Sequence, residues 1–154
     1  MEWMTAVILC ALLAIASTTP LTTATKKAND YRLPENVIPD NYNIKLKPLL
    51  STETDPDYFE GTVTIKVQVL EVTTSIILHA KDLTIKNVTV VKEDDTEVSV
   101  IPSEDPTFEF LSIINNDGKF EVAKYTITIS YEGIHSDDMD GFYRSSYMEN
   151  GEKK

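Results

Sequence analysis

Cysteine, histidine, glycine and positive charge are all scarce in this chain, and each shortage removes a class of answer. Among 154 residues one is cysteine, Cys10, and it sits inside an N-terminal apolar run. No disulfide can staple the body of the chain, so its fold must hold by core packing and hydrogen-bonded ladders alone. The two histidines, His79 and His135, have no second nitrogen or sulfur ligand near them in sequence. Zinc sites need three or four converging groups, so His79 is taken as a structural strand residue. Lys and Arg number 14 against 25 Asp and Glu, a formal charge of −11, which argues against nucleic acid or an anionic membrane as partner. Beyond the N-terminal run, no stretch of about ten residues has the apolar period of an amphipathic helix.

What is present begins with a secretory pattern. Residues 1–16 hold an apolar run from Trp3 to Ala16 broken only by Thr5, and Ala14-Ile15-Ala16 offers a small-x-small cleavage site. The run is shorter than the roughly 20 residues of a membrane span. A cleaved signal is therefore expected, with a short uncleaved anchor as the rival. Residues 17–30 open on Ser-Thr-Thr-Pro-Leu-Thr-Thr-Ala-Thr, a hydroxyl-rich stalk with nothing periodic to bury. Residues 31–154 form the candidate domain.

Within it the texture is that of strands. Tyr42, Ile44 and Leu46 alternate with Asn43, Lys45 and Lys47, the period of a half-buried strand closed by Pro48. Phe59, Val63, Ile65, Val67 and Val69 share one face of the next run, and Tyr58, Glu60, Thr62, Thr64, Lys66 and Gln68 share the other. One wet face and one dry face indicate antiparallel pairing. Ser75 to Ala80, Leu83 to Val91 and Glu97 to Ile101 are shorter β-branched runs split by charged turns, expected to form a meander. The apolar parity of the middle run shifts between Ile85 and Val88, which predicts a bulge near Lys86 or Asn87. Phe108 to Ile114 leads into Asp117-Gly118, a hairpin signal, and the return strand places Tyr125, Ile127, Ile129 and Tyr131 inward. The expected fold is all-β, an antiparallel sandwich or saddle.

Three stretches in order carry a resemblance: Leu33-Pro34 with Val37-Ile38-Pro39-Asp40-Asn41-Tyr42 and on to Leu46 and Pro48; Leu78-His79-Ala80-Lys81-Asp82-Leu83; and Gly141-Phe142-Tyr143-Arg144-Ser145-Ser146-Tyr147. Together they resemble the N-terminal domain of the zinc aminopeptidase N family from Tyr31 to Tyr147. The resemblance implies a β-sandwich front domain, and since further strands normally follow the third motif there, it implies a truncated one. It also implies that an intact relative removes residues from peptide amino termini with zinc. The His-Glu-x-x-His that holds zinc and supplies a general base, and the family's Gly-Ala-Met-Glu-Asn motif, are both absent. No catalytic or metal role therefore carries over to any residue, and this chain is expected to be no enzyme and to hold no cofactor.

The third motif is taken as structural, with Gly141 at a corner, against a binding reading in which Arg144 contacts an anion and Phe142, Tyr143 and Tyr147 stack on a ligand. A calcium loop over Ser136, Asp138, Asp140 and Gly141 would need a bidentate Glu where Tyr147 stands, and is disfavoured. Asn87-Val88-Thr89 is a glycosylation sequon, usable if the bulge turns Asn87 outward. Expected partners are the remainder of an aminopeptidase and, through exposed strand edges, copies of itself. Peptide substrates belong to the longer family members. Localisation is secreted, with surface tethering reserved for a longer form because the hydrophilic C-terminus has no apolar anchor signal. Two alternatives stay open: a secreted, non-enzymatic β module derived from such a peptidase, and an unrelated acidic adhesion sandwich.

Overall fold

The structure is a computed structural model that describes residues 31–50, 58–135, 141–143 and 145–153. The expected signal, the stalk, the calcium-loop positions Ser136, Asp138 and Asp140, and Arg144 lie outside the described residues.

The strands are β1 (Val37–Leu49), β2 (Tyr58–Val69), β3 (Ser75–His79), β4 (Leu83–Lys92), β5 (Glu97–Val98), β6 (Val100–Asp105), β7 (Phe110–Asn115), β8 (Lys124–Ile134), β9 (Met148–Glu149) and β10 (Glu152–Lys153). They form a five-stranded antiparallel sheet in the order β1-β2-β8-β4-β5, a three-stranded sheet β3-β7-β6 and a two-stranded ribbon β10-β9. Apolar residues from the two larger sheets join in one core: Ile65, Val67 and Val69 of β2 and Ile127 and Ile129 of β8 from one side, Ile76 of β3 and Leu111 and Ile113 of β7 from the other. The all-β sandwich expected from period-two alternation is the observed architecture.

Register explains why these residues are inside. Paired residues of antiparallel neighbours share a face, and the rows Val63–Ile129–Val88 and Ile65–Ile127–Val90 run apolar across β2, β8 and β4. The intervening row Thr64–Thr128–Thr89 is polar and faces out. Between Ile85 and Asn87 the register of β4 slips, so Lys86 is the extra residue of the anticipated bulge. The slip returns Val88 and Val90 to the core and leaves Asn87 exposed, paired with Ser130.

Three expectations need correction. First, β1 is longer than its alternating stretch and runs through Pro39 and Pro48, with a register irregularity between Pro39 and Asn41. Proline is tolerated there because, among the described residues, β1 is an edge strand with no partner on its far side. Its apolar face is also not half-buried: Tyr42, Ile44 and Leu46 pair with Ile65, Val63 and Gly61 on the core-facing side, yet remain 52%, 57% and 43% exposed. The three-stranded sheet reaches only the Tyr42 end of this strip, where Ile76, Ile77 and Leu78 share a small cavity with Tyr42.

Second, the runs from Ser75 to Ile101 are not a meander. β3 pairs with β7 and β4 with β8 and β5, and the chain changes sheets again at Ser99, between β5 and β6. Third, Asp117-Gly118 does not close a hairpin between β7 and β8; it starts a crossing from the small sheet to the large one, with Phe120 buried on the way and bridged through Thr73. Side by side, Leu111, Ile113, Ile127 and Ile129 would form one apolar face still in need of a cover. On opposite layers each pair covers the other, and full burial of each such side chain is worth about 1.5–3 kcal/mol.

Neighbouring residues of β2 test this layering. Ile65→Ala is expected to cost about 2–5 kcal/mol of unfolding free energy through transfer and cavity terms, whereas Lys66→Ala on the outer face should stay within about 0.5 kcal/mol. Denaturant titration of both variants checks it, and equal losses would contradict the assigned faces.

Candidate functional site

The Gly-Phe-Tyr segment meets the sandwich at one end of β2 and β8, where aromatic and glycine residues face each other in a reciprocal lattice. Phe59 pairs with Gly133 and Gly61 with Tyr131. A Cβ on Gly61 would lie 2.3 Å from the Tyr131 ring, and one on Gly133 would lie 2.3 Å from the Phe59 ring. Each ring thus lies over the glycine opposite, and no larger residue fits beneath it. The two rings meet edge to face at 6.4 Å. Burial pushes the Tyr131 phenol above its ordinary pKa.

Past β8 the lattice continues with His135, 7% exposed, whose ring stacks on Phe59 at 5.3 Å. Phe142 closes the cluster, edge-on to Phe59 at 5.1 Å and to His135 at 4.8 Å. His135 Nδ1 is buried without a hydrogen-bond partner among the described residues. Gly141 precedes this contact at φ 64°, in the left-handed region that favours glycine. Phe142, itself 43% exposed, is the motif residue that touches the ring cluster, and Tyr143, Ser145, Ser146 and Tyr147 are exposed as well.

The anchors Phe59, Gly61, Tyr131, Gly133 and His135 were not singled out as a group from sequence. The available signal was the paired spacing Phe59-x-Gly61 and Tyr131-x-Gly133, since glycine inside a strand marks a close approach.

Catalytic chemistry has little to work with. His79 is exposed at the end of β3, its ring 5.1 Å from Phe110, so the two histidines belong to different parts of the fold. A cleft of about 780 Å³ opens between the sheets and carries Asp82, Glu104, Asp105, Glu109 and Glu132. No three His, Cys, Asp or Glu side chains among the described residues are placed to hold a metal ion. The zinc implied by the sequence resemblance does not fit the residues described. No helix among those residues is long and apolar enough to cross a membrane.

Gly61→Ala should therefore destabilise the domain by about 1–3 kcal/mol through overpacking against Tyr131. Phe142→Ala should loosen the C-terminal segment, giving faster amide exchange after residue 141 while β2 and β8 keep their protection. Unchanged exchange there would contradict the anchoring of the motif.

Comparison with known proteins agrees with this β framework and its closing motif. A family model for the Peptidase M1 N-terminal domain matches residues 38–154. Rat aminopeptidase N is 33% identical over 147 residues, covering 90% of this chain and 15% of the rat protein. Human endoplasmic reticulum aminopeptidase 1 is 33% identical over 122 residues, covering 77% of this chain and 12% of that protein. Membrane alanyl aminopeptidase of Heliothis virescens is 28% identical over 126 residues, covering 78% and 12% respectively. The chain spans only a small part of the length of these relatives. From the second residue of β1, through the aromatic–glycine lattice, to the Gly-Phe-Tyr segment and beyond, it belongs to the Peptidase M1 N-terminal domain family.

Proposed function

We propose that this chain is the non-catalytic N-terminal domain of a secreted or cell-surface zinc metalloaminopeptidase, and that it is inactive by itself. The observation that carries the reading is the match to the N-terminal family model over residues 38–154 combined with coverage of only 15% of rat aminopeptidase N. The uncovered core-side face of β1 supports it. Tyr42, Ile44 and Leu46 continue the apolar rows of β2 outward and stay exposed, Ile44 the most at 57%, as expected of a sheet that more polypeptide completes.

In this reading zinc and its general base reside in the remainder of the protein, and peptide amino termini are processed there. The front domain supplies a rigid wall held by its own core. The apolar leader over residues 1–16 routes the chain into the secretory pathway. Asn87, exposed beside the β4 bulge, then serves as a glycan acceptor.

The test compares the chain with the polypeptide obtained by extending its transcript. The chain alone should release no amino acids from peptide amides and bind no stoichiometric zinc; the extended polypeptide should do both. Secreted product should begin near Ser17 and lose glycan mass on Asn87→Gln substitution. Zinc-dependent release by the homogeneous chain would contradict the inactivity, and a genuine stop after Lys154 in mature transcripts would favour a secreted non-enzymatic module instead.

A further inference from the structure

The β9–β10 ribbon turns through Asn150 and Gly151, and that pair carries chemistry of its own. Glu149 faces Glu152 and Met148 faces Lys153, so the loop has two residues, and both sit at positive φ, 54° and 82°. This is the mirror-image turn for which Asn-Gly is the favoured pair. Its closing hydrogen bond joins the residues that flank it, which leaves the Gly151 nitrogen outside the pairing. Asn150 is exposed, and its side chain has no hydrogen-bond partner among the described residues. Space around Gly151 is open, since a Cβ built there would meet nothing within 4 Å.

No other asparagine in the sequence precedes glycine. Asn41, Asn43 and Asn87 lie within β1 and β4 and precede the bulky Tyr42, Ile44 and Val88. Asn115 and Asn116 have engaged side chains: Asn115 Oδ1 accepts from the Asp117 N–H at 2.9 Å, and Asn116 Nδ2 donates to Ser99 Oγ at 3.4 Å. The ribbon also has little to keep it shut. A two-stranded hairpin is marginal in water by itself, and Met148 is 68% exposed. Glu149 opposite Glu152 sets like charges face to face, which is destabilising.

We propose that Asn150 is a site of spontaneous chemical modification, at which the side-chain amide is exchanged for a carboxylate and the β9–β10 turn is broken. When the ribbon opens, the Gly151 nitrogen gives its proton to water and attacks Asn150 Cγ. The new C–N bond closes a succinimide ring, the bond from Cγ to the side-chain nitrogen breaks, and that nitrogen takes up a proton and leaves as ammonia. Water then adds to one of the two ring carbonyls and opens the ring. Cleavage at Cγ gives aspartate; cleavage at the main-chain carbonyl gives isoaspartate, whose backbone runs through Cβ and is one methylene longer. The sum is asparagine plus water to a carboxylate plus ammonium. Either product adds a charge between Glu149 and Glu152, and the isoaspartate also lengthens a turn whose geometry fits two residues. Each converted copy therefore holds its ribbon open.

Peptide mapping tests this on the chain as it stands. After incubation at neutral pH, digestion at mildly acidic pH after Arg144 and Lys153 isolates residues 145–153. Chromatography with mass spectrometry then separates the asparagine, aspartate and isoaspartate forms. This peptide should convert, with isoaspartate the larger product, while peptides holding Asn87 and Asn115-Asn116 persist. Folding should slow the conversion by no more than about tenfold relative to the chain in guanidinium chloride, as expected of a ribbon that opens readily. Gly151→Ala should slow it by about tenfold, because a Cβ screens the attacking nitrogen. Stronger protection by folding, or conversion no faster than at Asn116, would overturn the site. The cross-strand nuclear Overhauser contact between the Glu149 and Glu152 backbones, present in fresh chain, should be absent from the purified isoaspartate form; its persistence would overturn the breaking of the turn.

Discussion

The contact between the inner faces of the two larger sheets is the interaction on which the rest of this molecule depends. Ile65, Val67, Ile127 and Ile129 of the large sheet are buried in one cluster with Ile76, Leu111 and Ile113 of the small one. The sequence has one cysteine, Cys10, so no disulfide within the chain offsets a loss here. The chain therefore switches sheets repeatedly rather than running as a meander, since apolar faces on one layer would bury nothing. Phe120, fully buried on the crossing from β7 to β8 and edge-on to Tyr125 at 5.4 Å, ties that crossing into the same core.

From this contact the two ends of the molecule acquire different roles. At the lattice end, the glycines of β2 and β8 let Phe59 and Tyr131 lie flat across the sheet, and that flat surface receives His135 and Phe142. Of the Gly-Phe-Tyr segment, Phe142 is the ring that packs on this surface. At the β1 edge the core runs out. Ile44 and Leu46 extend the inner face beyond Tyr42, which shares a small cavity with Ile76, Ile77 and Leu78 of β3, and among the described residues the outer backbone edge of β1 is unpaired. A domain with a finished lattice at one end and an unfinished face at the other is well suited to be one wall of a larger protein.

Period-two alternation made the strands legible, because a strand with one dry face repeats its chemistry every second residue. Hence the inner residues of β2 and β8 and the bulge at Lys86 could be read directly. What alternation cannot carry is which strand lies beside which. The Asp117-Gly118 pair looked like a hairpin, but a local turn preference is worth less than the burial gained when β7 and β8 face each other across the core. The exposed face of β1 was hidden for the same reason: its pattern matches that of a covered strand, and cover depends on distant polypeptide. The role of Phe142 was half legible. The motif identified the segment, but the ring cluster that receives it is assembled from positions 59, 135 and 142, far apart in sequence.

The central claim is that the core-side face of β1, which the described residues leave exposed, is an unfinished surface, and sedimentation equilibrium tests it most directly. Lys45, Lys47, Pro39 and Pro48 blunt backbone pairing along the β1 edge, so the driving force for association is burial of the exposed Tyr42, Ile44 and Leu46 side chains. The chain alone should show concentration-dependent association that Tyr42→Ser, Ile44→Thr and Leu46→Ser together abolish while circular dichroism retains the β signature. A wild-type chain that sediments as a single monomer at every concentration, with cooperative unfolding, would contradict the account.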